Sequence, residues 1–257
     1  MYPILLELGP IQIYTYGVFL ALAFYFSVRW AVRSGGTLGI PEEKILNLAI
    51  VSILSAIVGA RFTYVVVYWQ KFQGGFLDVF KIWNGGLVFY GGLIGGVLGG
   101  VLYWWWKKEN VLAMADCAAM AVSLGQGIGR IGCFFYGCCY GLPVVQGHPL
   151  AKFGIQFPAQ EVIRHPTQVY SSLVNFLIFA LLAYFFSKKL KSGLIVVLYC
   201  YFYGVFRFLI EIMRDDPRGT ILGIESFSTS QTISLLILIY GVGLHFYIVF
   251  MRKDSQA

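Results

Sequence analysis

Seven stretches of about twenty largely apolar residues fill most of this chain, and that length leaves few folds open. They run roughly over residues 11–29, 48–68, 86–106, 112–131, 169–186, 193–212 and 232–250. A run this long spans the hydrocarbon core of a bilayer when helical, because lipid tolerates only a backbone that satisfies its own hydrogen bonds. The 257-residue chain is 58% hydrophobic and 12% charged, with a mean hydropathy of +0.74, which argues against a soluble domain. The expectation is an all-α integral membrane protein: a bundle of about seven transmembrane helices forming a single polytopic domain over residues 1–257. Tyr14, Tyr16, Tyr68, Trp69 and Trp104 to Trp106 crowd the span ends, as an interfacial aromatic belt would.

The basic residues orient the bundle. One set of loops and the C-terminus carries ten of the 19 Lys and Arg: Arg29, Arg33, Lys44, Lys107, Lys108, Lys188, Lys189, Lys191, Arg252 and Lys253. The opposite side carries six (Lys71, Lys81, Lys152, Arg164, Arg214, Arg218), and six of the twelve acids. Cytoplasmic loops are the basic ones, so the N-terminus is expected outside and the C-terminus in the cytoplasm. The +7 net charge then reflects topology and affinity for anionic headgroups, and implies no nucleic-acid partner. The first span has no basic leader and is long enough to cross, so no cleaved signal peptide is expected. The longest segments outside the spans, about 137–167 and 214–230, both fall on the outer side.

Three arginines and a glutamate, Arg61, Arg130, Arg207 and Glu211, interrupt these apolar runs. An arginine at mid-bilayer costs about 2.5–3.5 kcal/mol even on a lenient insertion scale, so several of them point to a site that holds an anion. On the sixth span Tyr199, Tyr203, Arg207 and Glu211 recur every four residues and share one helix face, with Arg214 three residues beyond. An Arg207–Glu211 ion pair that merely neutralises itself is the simplest alternative, but it leaves Arg61 and Arg130 unexplained. Arg130 sits among Gly125, Gly127, Gly129 and Gly132. Gly127-x-Gly129-x-x-Gly132 matches a dinucleotide fingerprint only formally, since no strand precedes it. These glycines are expected to admit a ligand to the backbone or to break the helix. Arg130 has no obvious acidic partner nearby in sequence, although Asp116 on the same span could be one. Without such a partner the guanidinium fork fits a phosphate.

The third span carries two small-residue rows, Gly91/Gly95/Gly99 and Gly92/Gly96/Gly100, suited to close helix contact. Asn84 and Tyr90, at its outer end, are its members able to face a site. His165-Pro166-Thr167-Gln168 opens the fifth span, where Pro166 suits a helix start. His148 and His245 look incidental, and no metal site is expected from three scattered histidines. Cys117 and Cys200 read as small core residues. Cys133, Cys138 and Cys139 cluster on the outer side as a structural disulfide, as inert thiols, or as a nucleophile. Their C-x4-C-C spacing lacks the paired second half of a zinc site.

Taken in order, these motifs resemble the prolipoprotein diacylglyceryl transferase family. The resemblance is carried by Tyr16-Gly17, Gly59-Ala-Arg61-Phe-Thr-Tyr64 and Trp83-Asn-Gly-Gly-Leu-Val-Phe-Tyr-Gly-Gly-Leu-Ile-Gly95. It continues through Gly129-Arg-Ile-Gly-Cys-Phe-Phe-Tyr-Gly-Cys-Cys-Tyr-Gly141, His165-Pro-Thr-Gln-Val-Tyr170, Tyr203-Gly-Val-Phe-Arg-Phe-Leu-Ile-Glu211 and Ser228-Thr-Ser-Gln231. It implies transfer of a diacylglyceryl group from phosphatidylglycerol to the lipobox cysteine of a preprolipoprotein, with release of glycerol phosphate and no cofactor. It places the enzyme in the bacterial inner (plasma) membrane, its site in the outer half. Arg130 and Arg207 would clamp the headgroup, Glu211 would orient Arg207, and Tyr90 would stand at the proton-accepting position. Tyr16, Arg61, Tyr203, Cys133, Gly141, His165 and Gln168 would line the lipid site. The sequence departs from the family pattern where it has Tyr90 for a common histidine, Cys133 for asparagine, Cys138 for glutamate and Ser171 for an acidic residue. Two other readings fit the same residues: a lipid transferase with a different acceptor, and a lipid or anion transporter. The chain shows no internal repeat of the kind many transporters carry.

Overall fold

Seven α-helices carry the fold among the described residues: α1 (Thr15–Thr37), α2 (Glu42–Val67), α3 (Phe89–Trp106), α4 (Val111–Tyr136), α5 (Thr167–Ser187), α6 (Leu194–Ile212) and α7 (Thr229–Phe246). The structure is a computed structural model that describes every residue except 10, 73–74, 83–84, 109, 146, 148–150, 159, 216–227 and 252–257. Trp83, Asn84, His148, Arg218, Arg252 and Lys253, named above, lie outside the described residues. Six of the helices are long and apolar enough to cross a membrane, as an all-α integral membrane protein requires. The remaining one, α3, has 18 residues, six of them glycine and three tryptophan, which lowers its hydropathy. Its length of about 27 Å still approaches a hydrocarbon core of about 30 Å.

The expected first span began too early. Ile11-Gln-Ile-Tyr14 alternates apolar with polar, a period of two, and forms β2 (Ile11–Tyr14) against β1 (Ile4–Leu8). The helix starts only at Thr15, whose hydroxyl donates to Tyr2 O at 2.5 Å. A second small hairpin pairs β3 (Ile155–Gln156) with β4 (Ile163–Arg164).

The chain forms two compact units, Met1–Ala31 with Ala115–Ala257, and Val32–Met114. In the second unit α2 packs on α3 along both glycine rows. A methyl on Gly91 would come within 2.5 Å of Gly59 O, and one on Gly95 within 2.5 Å of Ser55 O. Gly92 and Gly96 face Ala60 and Ala56 in the same way. Such backbone proximity suits a lipid setting, where packing replaces hydrophobic collapse as the glue between helices.

In the first unit α4, α5 and α6 meet around Met120, Ile178, Leu182 and Ile195, and α7 packs on α6. Hydroxyls tie the neighbouring helices together: Ser27 to Ala121 O (2.7 Å), Ser123 to Asn175 O (2.9 Å) and Ser172 to Gly127 O (2.8 Å). Asp116 has a different task from the one expected. Its carboxylate accepts from Gly193 N (2.7 Å) and Val196 N (2.9 Å), and so caps the start of α6. Fourteen residues of helix, about 21 Å, separate it from Arg130, so it is not that arginine's partner. Nor do the glycines around Arg130 break α4. The helix runs through them to Tyr136 because Gly125 makes room for Ser27, Gly127 for Phe176 and Gly132 for Phe19.

Candidate functional site

One end of the first unit gathers the end of α4, the start of α5, the end of α6 and the start of α7. Gly137 (φ 82°) stops α4, donating its N–H to Cys133 O and Phe134 O, both at 3.1 Å. The chain then passes between two neighbours. Gly141 N donates to His165 O (2.8 Å), His165 N to Leu142 O (3.1 Å), and Leu142 N to Met213 O (2.9 Å). Gly141 is required at this crossing, since a methyl there would meet Met213 O at 2.5 Å and Thr167 Cγ2 at 2.7 Å. From the first turn of α5, Gln168 Nε2 donates to Cys138 O (2.5 Å) and Thr167 Oγ1 to Cys139 O (2.8 Å). Arg164 donates to Gly141 O (3.2 Å), pairs with Asp215 and lies over the Tyr140 ring at 5.0 Å. This loop is held by backbone bonds, by the side chains of Arg164, Thr167 and Gln168, and by the Cys138 thiol, which donates to Cys133 O (3.8 Å).

The four-residue row on α6 forms as the spacing predicts. Tyr199 and Tyr203 stack with centroids 5.2 Å apart, and Arg207 Nη2 pairs with Glu211 Oε2 at 2.8 Å. All of Arg207, Glu211 and Arg214 are buried. The first turn of α7 completes the group. Ser228 and Gln231 form a capping box that starts the helix (Gln231 N to Ser228 Oγ 3.2 Å, Ser228 N to Gln231 Oε1 3.0 Å). Ser228 Oγ also donates to Glu211 Oε1 (2.9 Å), while Ser230 Oγ accepts from Arg207 Nη2 (2.7 Å). Arg214 Nε stands 4.0 Å from the same carboxylate oxygen that holds Arg207. One carboxylate therefore faces two guanidinium groups, so the pair does not simply cancel.

α4 lies beside α6 and in the same direction. Tyr199 Oη donates to Gln126 Oε1 (3.2 Å) at one level, and Gly141 pairs with Arg214 just beyond the helix ends. Arg130, four residues after Gln126, is held between those two levels. It is half-buried and makes no hydrogen bond or ion pair among the described residues. It lies in electrostatic reach of the Tyr16 hydroxyl and the Cys133 thiol. Gly129 beside it has open space where a Cβ would stand. A half-buried cation with no hydrogen bond or ion pair among the described residues is suited to take an anion.

Cys133, Cys138 and Cys139 are free thiols whose Sγ atoms all lie within 4.8 Å of one another. Contacts with Cys133 and Cys138 hold the Cys139 thiol below its ordinary range, and Arg214 adds to this. The Cys138 thiol is pushed up by its contact with Cys133, then by Cys139 and by burial.

The remaining sequence-stressed residues divide between the two units. Tyr16 packs edge-on to Tyr136 (6.5 Å), and buried His165 brings Nδ1 to 3.4 Å from Tyr170 Oη. Arg61 and Tyr90 belong to the second unit. Arg61 spends its donors on backbone: Nε to Val79 O (2.7 Å), Nη2 to Asp78 O (2.7 Å), and Nη1 to Gly85 O (2.7 Å) and Gly86 O (3.1 Å). Tyr90 is the second residue of α3 and is partly exposed. Sequence reasoning passed over Ser230, Thr167 and Gln126 as partners of functional groups. Only the Ser-x-x-Gln capping signature hinted that the first turn of α7 was fixed.

Fold and site together define a polytopic helical membrane protein with a cationic, thiol-lined cluster at one end of its helices. The family model described as prolipoprotein diacylglyceryl transferase matches residues 3–247. The chain is 38% identical over 242 residues to a phosphatidylglycerol–prolipoprotein diacylglyceryl transferase of Clostridium tetani, covering 94% of this chain and 96% of that one. Similar relatives include the transferase 2 of Clostridium perfringens (34% identical, 93% and 92% covered) and the transferase of Streptococcus suis (34%, 100% and 94%). The chain belongs to the prolipoprotein diacylglyceryl transferase family.

Proposed function

We propose that this chain transfers the diacylglyceryl group of phosphatidylglycerol to the lipobox cysteine of preprolipoproteins. In the step itself, the acceptor thiolate forms a sulfur–carbon bond with the terminal glyceryl carbon. The carbon–oxygen bond to phosphate breaks, its electron pair stays with the phosphate, and glycerol phosphate leaves with one more negative charge. Stabilising that charge in a water-poor site needs fixed cations. Arg130 is the residue that carries this reading, being half-buried and unpaired among the described residues beside the open space at Gly129. Arg207, steered by Glu211 and Ser230, supplies the second cation. Tyr16, Tyr203, His165, Gln168, Cys133 and Gly141 shape the lipid side of the site. Arg61 acts by holding the carbonyls of Asp78, Val79, Gly85 and Gly86, and Tyr90 stands in the proton-accepting role. The reading includes the bacterial inner membrane, an outside N-terminus, a cytoplasmic C-terminus and a site in the outer half. The capping of α6 by Asp116, far from Arg130, supports it by leaving that arginine to a ligand.

The test is mass spectrometry of a lipobox peptide incubated with purified protein and phosphatidylglycerol. A diacylglyceryl mass gain that disappears in Arg130→Ala supports the assignment. A folded, lipid-binding protein that leaves the peptide unmodified overturns it.

A further inference from the structure

We propose that Cys133, Cys138 and Cys139 form a three-thiolate site for a soft divalent cation of the zinc class, whose fourth position takes the acceptor cysteine thiol. The fourth-ligand half rests on the transfer reading above; the metal site does not.

The spacing in sequence could not suggest this, because the contact depends on how the chain turns after α4. Three sulfurs within 4.8 Å of one another approach the edge of a tetrahedron with metal–sulfur bonds of about 2.3 Å, which is about 3.8 Å. Cys139 sits at φ 66°, a conformation β-carbon-bearing residues avoid, and that turn lets two adjacent residues direct their sulfurs toward Cys133. The carbonyls of Cys138 and Cys139 are pinned by Gln168 and Thr167, so the loop is placed before any ligand arrives. All three cysteines are partly exposed, which leaves a face open to a fourth ligand.

A disulfide uses this arrangement less well. Neighbouring Cα atoms stand about 3.8 Å apart, below the roughly 4.4–6.8 Å that disulfides span, so a Cys138–Cys139 bridge would distort the turn. A bridge from Cys133 to either one leaves the third sulfur with no task. Three thiolates and a divalent cation carry one net negative charge, and Arg214 beside Cys139 balances it.

The chemistry follows. The acceptor thiol binds the metal and releases its proton to solvent. The bound thiolate then forms the sulfur–carbon bond as the carbon–oxygen bond breaks toward phosphate, and the neutral thioether, a poor ligand, departs. No electron is gained or lost. A metal-bound thiol is deprotonated outright, so the step needs no separate strong base.

Cobalt(II) titration of the purified full-length protein in detergent tests the site. The expected result is one cobalt per chain with an intense sulfur-to-cobalt charge-transfer band and tetrahedral visible bands, displaced by zinc. Cys133→Ser, Cys138→Ser and Cys139→Ser each weaken binding by about tenfold or more, Cys138→His restores it, and Cys200→Ser leaves it unchanged. Absence of the band, or a mass two hydrogens low from a disulfide among these three, overturns the metal site. Adding a lipobox peptide shifts the visible bands, whereas the peptide with serine at the acceptor position does not. No shift while cobalt is bound overturns the fourth-ligand assignment. The cobalt spectrum without peptide is independent of transfer, so failure of the transferase reading cannot be confused with failure of the site.

Discussion

Each unit sets an arginine in an apolar helix, Arg61 buried and Arg130 half-buried, and the two serve opposite ends. In the second unit Arg61 sends hydrogen bonds to four backbone carbonyls across residues 78–86. In the first, Arg130 makes none among the described residues. The helices around them differ in kind as well. α2 and α3 meet at Gly91 and Gly95 with no space for a methyl, whereas Gly129, next to Arg130 in the chain, faces open space among the described residues. An intramembrane arginine whose donors are all spent on backbone carbonyls, as those of Arg61 are, marks a structural clamp and not a ligand site. Burial alone does not distinguish a clamp on the backbone from a clamp on a ligand.

Removing the two guanidinium groups should break the comparison in opposite ways. Arg130→Ala lowers kcat by about 10²–10³-fold, the loss usual for one preorganised charge-stabilising donor, and leaves thermal stability in detergent unchanged. Arg61→Ala does the reverse. It strands four carbonyls that lie partly shielded from water, where an unmet buried acceptor costs about 1–3 kcal/mol, so unfolding by heat or denaturant comes earlier by about 2–3 kcal/mol. Arg61→Lys recovers little of that, since a single ammonium cannot span the four acceptors that the fork reaches. Equal stability losses for both alanine variants would erase the distinction.

Much of this was legible in the chain, for reasons tied to spacing. The α6 row could be read because residues four apart on a helix are neighbours, and Arg207 and Glu211 pair as that rule demands. The glycine rows of α3 were legible in the same way. Asp116 misled because sharing a span says nothing about separation along it. The hairpin at β1 and β2 was hidden by its hydrophobicity, and only the period of two in Ile11–Tyr14 separates it from a helix start. The thiol cluster and the Ser230–Arg207 contact lay beyond sequence reasoning, since both depend on how separate segments meet.

The two kinds of glycine give the next contrast. Gly95→Ala forces a methyl to within 2.5 Å of Ser55 O, a backbone atom that cannot swing aside. Helix overpacking of this sort costs about 1–3 kcal/mol, read as earlier thermal unfolding in detergent. Transfer activity measured well below that temperature stays near the parent value.

Gly129→Ala is the smallest change and the sharpest for the site. Among the described residues, nothing beyond its own turn of helix lies within 4 Å of the added methyl, and the residue sits inside a continuous helix. Alanine there is expected to stabilise α4 by about 0.5–1 kcal/mol, since glycine is the poorer helix former. If the space beside Arg130 belongs to the lipid, the methyl intrudes on it and KM for phosphatidylglycerol rises several-fold while kcat changes little. A variant that is more stable with KM unmoved would mean the opening at Gly129 is not where the headgroup sits, and Arg130 would have to meet its anion from another side.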